Sequence, residues 1–167
     1  MDYFEVVQKR YSARSYQATP VEPEKLQQIL EAARSAPTAC NLQAFKILVI
    51  KTAGRQSELK KIYPKDWFVA APYILGVCSV TADCWVRKDH KSFSDVDAAI
   101  VMDHIILAAT ALNLGTCWIG AFDPRAAREI LGLDESWEPV VFTPLGYPGA
   151  ATVNRVRKPL DTMVIYQ

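Results

Sequence analysis

Hydrophobic positions recur along the chain with two different periods, and the longer period predicts helices. Apolar residues fall three and four positions apart in residues 23–34 and again at Leu59 and Ile62, which predicts an amphipathic helix at each place. Residues 97–114 are apolar on nearly every side, a pattern typical of a buried helix. We therefore expect a central helix over 97–114 that ends at Gly115, because glycine readily adopts the conformation that terminates helices.

Capping residues and aliphatic runs mark further elements. Asp2 followed by Glu5 matches a capping box at the start of a short first helix. Asp123, followed by proline, predicts the start of a helix that finishes at Gly132. Aliphatic and β-branched runs predict four strands, at 45–50, 73–80, 116–119 and 140–146. The tail from Gly149 to Pro159 is expected to be extended and basic.

The order of these elements indicates the fold class. Helices and strands alternate, but their connections are uneven and no Gly-x-Gly-x-x-Gly turn occurs, so a Rossmann domain is disfavoured. The sequence instead predicts an α+β fold in which helices flank a mixed β-sheet. Neither repeats nor low-complexity segments occur, and we expect residues 1–167 to form a single domain.

Composition excludes several classes of partner. Half of the residues are hydrophobic, 22% are charged and the net charge is +1, so neither nucleic acid nor an anionic membrane is an expected partner. The longest apolar-rich stretch, 98–112, is too short to span a bilayer and is interrupted by Asp103 and His104. Since no early apolar segment resembles a signal peptide, we expect a cytoplasmic protein.

The cysteines give no sign of a disulfide framework or a metal site. They stand at positions 40, 78, 84 and 117 without a Cys-x-x-Cys pair, and only two histidines accompany them. We expect buried free thiols and no structural zinc. Whether any of these thiols is reactive stays open at this point.

Three polar segments contain the candidate chemistry. Residues 10–14 (RYSAR) hold two guanidiniums and a hydroxyl, and residues 35–43 (SAPTACNLQ) form a polar loop between a predicted helix and a predicted strand. Arg155, Arg157 and Lys158 add cations near the carboxyl end. Arginine binds phosphate and side-chain amides bind ring donors and acceptors, so a phosphorylated planar ligand is indicated.

These segments resemble the nitroreductase family of flavin mononucleotide (FMN) enzymes. Residues 10–14 resemble its Arg-x-Ser-x-Arg signature, and 35–43 its Ser-x-Pro-(Ser/Thr)-x-x-Asn-x-Gln loop. Residues 113–120 (NLGTCWIG) resemble the segment beside the flavin ring, and 144–148 with 157–160 the family's ending. The resemblance runs in order from about residue 3 to residue 162, and four motifs in order are far more specific than one.

The resemblance implies FMN as the cofactor and a set of residues that contact it. The implied phosphate and ribityl contacts are Arg10, Arg157, Lys158 and Ser12. The implied loop contacts are the backbones of Pro37, Thr38 and Ala39, the Asn41 side chain, and Gln43 near the ribityl chain or a dimer partner. The backbones of Ile119 and Gly120 would approach the ring. Arg14 either reaches the polar edge of the ring or pairs with an acid. No catalytic acid–base residue and no metal ligand are implied.

Each cluster also has a plain structural explanation. The cations of 10–14 could be a solvated helix end, 37–43 a simple helix-to-strand loop, and Ile119–Gly120 a strand end. The family often follows its loop glutamine with proline and tryptophan, whereas alanine and Phe45 follow here. His104 is treated as a core histidine, and no role is assigned to residues 63–95.

The resemblance implies an FMN-dependent oxidoreductase that transfers electrons from NADH or NADPH to a small organic acceptor by a ping-pong mechanism. It also implies an intertwined homodimer with flavins at the interface. Nitroaromatics, quinones and free flavin are all candidate acceptors, and the choice between NADH and NADPH stays open. One alternative is a flavin-binding redox sensor or carrier without turnover. Another is a specialised relative that performs dehalogenation or flavin fragmentation.

Overall fold

A four-stranded sheet with helices on both faces forms the centre of the protein, as a computed structural model of residues 1–150 and 156–167 describes it. The strands are β1 (Phe45–Lys51), β2 (Tyr73–Val80), β3 (Gly115–Thr116) and β4 (Trp137–Gly146). The helices are α1 (Tyr3–Lys9), α2 (Pro23–Arg34), α3 (Gln56–Ile62), α4 (Asp66–Ala70), α5 (Ser94–Ala111) and α6 (Pro124–Leu131). The predicted α+β class is confirmed.

The strand order is β1-β2-β4-β3, and each neighbouring pair is antiparallel. The sheet is thus antiparallel where a mixed sheet was predicted, and among the described residues parallel pairing is limited to an isolated bridge between Ser12 and Thr116, outside the four strands. This bridge attaches the segment that follows α1 to the β3 edge of the sheet. The amino-terminal motif is therefore fixed by backbone pairing.

Successive strand residues point to opposite sides of the sheet, and helices bury the apolar side chains on each side. Leu75 and Val77 on β2 pack with α2 and α5 in one apolar cluster. Ile74 on β2 and Phe142 on β4 pack with α3, α4 and α6 in the other. Leu59 and Ile62, which predicted the amphipathic α3, are both buried in this second cluster.

The central helix is present, but its end differs from the prediction. α5 ends at Ala111, not at Leu114, and Asn113 adopts a left-handed conformation with φ 61°. Asparagine tolerates this conformation better than most residues and can terminate a helix as glycine does. Gly115, the expected terminator, lies in β3 instead.

The strand predicted at 116–119 is shorter than expected. β3 covers only Gly115–Thr116, and the next backbone N–H, of Cys117, donates to the side-chain hydroxyl of Thr143 at 2.9 Å. A side-chain acceptor thus replaces the expected ladder bond. Pairing resumes at Ile119, which forms an isolated bridge with Phe142.

Capping residues predicted two helix starts correctly. The Asp2 carboxylate accepts a hydrogen bond from the Glu5 N–H at 2.9 Å at the start of α1. The Asp123 carboxylate accepts from the first two N–H groups of the α6 segment, and α6 ends before a left-handed Gly132. Local hydrogen bonding therefore decides these boundaries.

Near the carboxyl end, β4 is longer than predicted and the predicted tail is described only in part. β4 begins at Trp137, earlier than predicted, because a register shift opposite Val77 and Cys78 accommodates Pro139, which has no N–H to donate. In the tail predicted to be extended over 149–159, residues 151–155, with Arg155, lie outside the described residues. In the part of the chain that is described, no helix has the length and apolar character needed to cross a bilayer.

Candidate functional site

The segment after α1 pairs with the β3 edge and so carries residues 10–14 to the predicted ring segment. The N–H of Ala13 donates to the carbonyl of Thr116 at 2.8 Å. The hydroxyl of the half-buried Tyr16 donates to the carbonyl of Ala13 at 3.0 Å. Burial raises the pKa of Tyr16, so its phenol stays protonated and remains a donor.

Gly115 is required for this pairing, whereas Gly120 is not required by the chain's own packing. A Cβ on Gly115 would lie 2.9 Å from the Cβ of Ala13 and 3.1 Å from that of Pro148. Among the described residues, a Cβ on Gly120 would meet only the indole nitrogen of Trp118, at an ordinary 3.9 Å. The open space at Gly120 therefore leaves its backbone accessible to a ligand.

Substituting these two glycines with alanine is expected to separate stability from binding. Gly115→Ala should lower the free energy of unfolding by about 1–3 kcal/mol, because the new methyl group overpacks the paired segments. Gly120→Ala should change it by less than about 0.5 kcal/mol. Urea denaturation of both variants measures this difference, and equal losses would show that the two positions are not packed as described.

A pocket beside Arg10 is the cationic part of the site. It has a volume of about 200 Å³, and Lys9, Arg10, Asn113 and Gly115 are among its lining residues. Cofactor pockets are typically about 300–1,000 Å³, so this one is large enough for a phosphate group but not for a whole nucleotide. Within one chain the cationic pocket is therefore too small to hold a whole nucleotide cofactor.

Arg14, the second arginine of the amino-terminal motif, contacts an aromatic ring. Its guanidinium carbon lies 5.8 Å from the ring centroid of Trp67, and one of its nitrogens donates to the carbonyl of Ser12 at 3.5 Å. None of the ion pairs among the described residues involves Arg14. Of the two roles left open for Arg14, pairing with an acid is thus not observed.

The buried thiol of Cys117 lies close to Arg10, Ser12 and Arg14. Burial raises its pKa, and the nearby Arg14, Ser12 and Arg10 offset that only in part. Burial likewise raises the pKa of Cys78 to about 11. The expectation of buried free thiols is confirmed for three cysteines and wrong for Cys40, which is exposed on the polar loop.

The polar loop has an unusual backbone. Cys40, Asn41 and Gln43 all have positive φ, at 51°, 55° and 53°. Such conformations each cost free energy in residues with a side chain and accumulate at ligand sites. The loop is held internally, because the Gln43 N–H donates to the Thr38 hydroxyl at 3.0 Å and the Gln43 amide to the Asn41 carbonyl at 3.1 Å.

A buried carboxylate on α5 anchors the same loop. Asp97 is 2% exposed, and its Oδ1 accepts a hydrogen bond from the backbone N–H of Ala39 at 3.0 Å. Its second oxygen, also buried, has no hydrogen-bond partner among the described residues. The start of α5 therefore fixes the position of the loop.

The structure brings only some of the predicted cofactor residues together. The residues on the two paired segments are Arg10, Ser12, Arg14, Ile119 and Gly120. The loop residues Pro37, Thr38, Ala39, Asn41 and Gln43 lie at the other end of α5. Arg10 shares its pocket with Thr110 near the end of α5, whereas the loop contacts Asp97 near its start. At roughly 1.5 Å per residue, about 20 Å of helix separates these two positions.

Both backbone hydrogen-bonding groups of Ile119 already have partners within the protein. Its N–H donates to the carbonyl of Phe142 at 2.9 Å, and its carbonyl accepts from the Phe142 N–H at 3.0 Å. Its side chain is 3% exposed and belongs to the core. Its cofactor contact stays a prediction, with Gly120 the more accessible neighbour.

The predicted cations near the carboxyl end lie on an exposed terminal segment. Arg157 donates to the carbonyl of its neighbour Val156 at 3.0 Å, and both Arg157 and Lys158 are exposed. Neither is among the described residues that line the pocket at Arg10. The third cation of this group, Arg155, lies outside the described residues.

Sequence reasoning missed two residues that organise the site. Trp67 was assigned no role, and a cation–π contact with Arg14 leaves no periodic signal in the sequence. Asp97 was seen only as the start of an apolar helix. The sequence did contain a signal for Asp97, because an acidic residue on the buried face of an apolar helix needs a hydrogen-bond partner.

A comparison with family models decides what kind of protein carries these features. The model of the nitroreductase family matches residues 7–72 and 65–147. The chain belongs to the nitroreductase family. The match spans the amino-terminal motif, the polar loop and all four strands, so the resemblance to this family is confirmed, whereas the motif at 157–160 lies beyond the matched residues.

Solved and curated relatives agree with this membership. A nitroreductase family protein from Clostridium difficile is 34% identical, with a TM-score of 0.89 over 99% of this chain and 98% of its own. An NADH dehydrogenase of Thermus thermophilus is 26% identical over 95% of this chain and 93% of its own. An FMN reductase [NAD(P)H] of Bacillus subtilis is 28% identical over 91% of this chain and 68% of its own.

Proposed function

We propose that the protein is an FMN-dependent oxidoreductase that takes electrons from NADH or NADPH, and that residues 1–167 form one FMN-binding domain. The observation that carries the proposal is the backbone pairing of Ala13 with Thr116, which joins the segment of Arg10 and Arg14 to the segment that leads to the accessible Gly120. The names of the relatives support the same class of reaction, since they include an FMN reductase and an NADH dehydrogenase.

The residues present fit a phosphorylated flavin. Arg10 would bind the phosphate at the small cationic pocket, with Lys158 and Arg157 as further ligands and the Ser12 hydroxyl as a donor to the phosphate or ribityl chain. Arg14, whose charge no carboxylate of the described residues neutralises, would face the polar edge of the ring. The absence of a side chain at Gly120 leaves room for the ring to approach the backbone.

A complete site would need two copies of the chain. The polar loop and the cationic pocket lie about 20 Å apart along α5, and the pocket of about 200 Å³ holds only a phosphate-sized group. In a homodimer, the loop 37–43 of one copy would meet the paired segments of the other. The flavin would then lie at the interface, with contacts from both copies.

Exposed apolar side chains support a dimer independently. On α1, Tyr3 and Phe4 are exposed, Phe4 to 75%. In the terminal segment, Ile165 and Tyr166 are 84% and 93% exposed. Apolar surface of this size on two separate elements is typical of protein–protein interfaces. We propose that these elements of each copy pack against the other copy.

Bound FMN would supply the redox chemistry, with the nicotinamide donor and the organic acceptor occupying the same position in turn. The protein's part would be to orient the ring and to stabilise negative charge on it. Arg14 is suited to that second task because its guanidinium is permanently charged. An acid–base triad is not required by this proposal.

An anaerobic reduction experiment tests the proposed function. Protein loaded with FMN is mixed with NADH and with NADPH, and the visible flavin absorbance is followed before a quinone or nitroaromatic acceptor is added. Loss of absorbance with one donor, followed by sustained donor oxidation with the acceptor, is the expected result. Reduction without sustained turnover would favour the sensor or carrier, and no reduction with either donor would refute the proposal.

A further inference from the structure

We propose that Trp67 is a positioning residue for Arg14, and that through Arg14 it sets how strongly the site binds FMN and how easily the bound flavin is reduced. The inference rests on the proposed function. It starts from one contact, in which the Arg14 guanidinium carbon lies 5.8 Å from the centroid of the Trp67 ring.

Arg14 has few other interactions that could fix its side chain. It is exposed, its bond to the Ser12 carbonyl is long at 3.5 Å, and no carboxylate of the described residues pairs with it. A free arginine side chain samples many rotamers, and ordering it on binding a ligand opposes that binding. The indole face restricts this freedom before the ligand arrives.

Trp67 is linked to the core through a chain of two further rings, of which only Tyr63 contacts it directly. It meets Tyr63 edge-to-face with centroids 5.6 Å apart, and Tyr63 meets Phe68 in the same way at 5.5 Å. Phe68, on α4, is fully buried in the apolar cluster that α3, α4 and α6 form with the sheet. The half-buried indole is therefore connected to the core and offers Arg14 a fixed surface.

The aromatic contact differs from an ion pair in its electrostatic consequence. A carboxylate partner would neutralise Arg14, whereas an aromatic ring orients the guanidinium and leaves its net charge intact. The charge already extends to neighbouring groups, because Arg14 opposes the rise in the pKa of Cys117 and Tyr16 that burial causes. A flavin ring at this place would experience the same charge.

A double-mutant cycle on FMN affinity tests the inference. Trp67→Leu is expected to weaken FMN binding about twofold to fivefold, the range of a cation–π contact near the surface. In an Arg14→Met background the same change should have no effect on the Kd, because its consequence passes through Arg14. The Kd values come from quenching of FMN fluorescence, and each variant's thermal melt is recorded beside them.

Two further measurements separate positioning from a merely structural role. Trp67→Phe keeps an aromatic face, so it should retain most of the affinity. Trp67→Met removes that face and repeats the cycle if Trp67→Leu does not fold. The midpoint potential of the bound flavin should fall in Trp67→Leu and in Arg14→Met, and the double variant should fall no further. Additive losses in Kd or potential would overturn this inference alone. Wild-type protein that does not bind FMN would overturn the proposed function as well.

Discussion

Replacing Arg10 with alanine is expected to weaken FMN binding by about 10-fold to 150-fold, the usual effect of losing a hydrogen bond to a charged group. Arg10 is half-buried and lines the pocket beside β3, where a phosphate would lose its strongest partner. Lys158→Ala should reduce the affinity in the same direction if the terminal segment joins the phosphate site. Fluorescence titration with FMN measures both losses.

Arg34→Ala is the matched control for this prediction. Arg34 is an exposed arginine at the end of α2, where it pairs with Glu31 at 2.7 Å. Replacing it with alanine removes one positive charge, as Arg10→Ala does. The control should bind FMN as the wild type does. If Arg10→Ala and Arg34→Ala bind FMN equally well, the phosphate site is not at Arg10.

Removing residues 156–167 is expected to convert the protein from a dimer to a monomer and to lower FMN affinity at least about tenfold. This segment is exposed throughout, and it carries the cations Arg157 and Lys158 together with the apolar Leu160, Ile165 and Tyr166. In a second copy these apolar side chains would become buried. Light scattering after gel filtration gives the mass, and titration gives the affinity.

A shorter truncation distinguishes the two contributions of the segment. Removing residues 160–167 retains both cations and should still dissociate the dimer, whereas deleting Gln167 alone should leave mass and affinity unchanged. A fully truncated protein that remains a flavin-loaded dimer would show that the terminal segment contributes neither to the interface nor to the site.

Local chemistry explains which parts of the fold the sequence predicted. The bounds of α2 follow from Pro23 in the first turn and from apolar spacing, and the start of α6 from the Asp123 cap. Errors arose where a tertiary contact overrode a local preference. Gly115 is needed for its close approach to Ala13 instead of ending a helix, and Thr143 replaces a strand bond with its hydroxyl.

The candidate site divides in the same way. The cationic motif and the polar loop were visible as residue types in order, since phosphate and flavin require particular donors. Three left-handed residues in the loop were not predictable, because Cys40, Asn41 and Gln43 have no local rule that imposes positive φ. The separation of the polar loop from the cationic pocket along α5 was not predictable either, because it depends on how the helix crosses the sheet.

The most direct test is a visible absorption spectrum of the purified protein after incubation with FMN and desalting. We predict a retained flavin spectrum with about one FMN per chain, and loss of that spectrum in Arg10→Ala protein treated identically. A wild-type protein that emerges colourless would contradict the account at its centre. It would leave the chain with the nitroreductase fold but without the cofactor that its proposed chemistry needs.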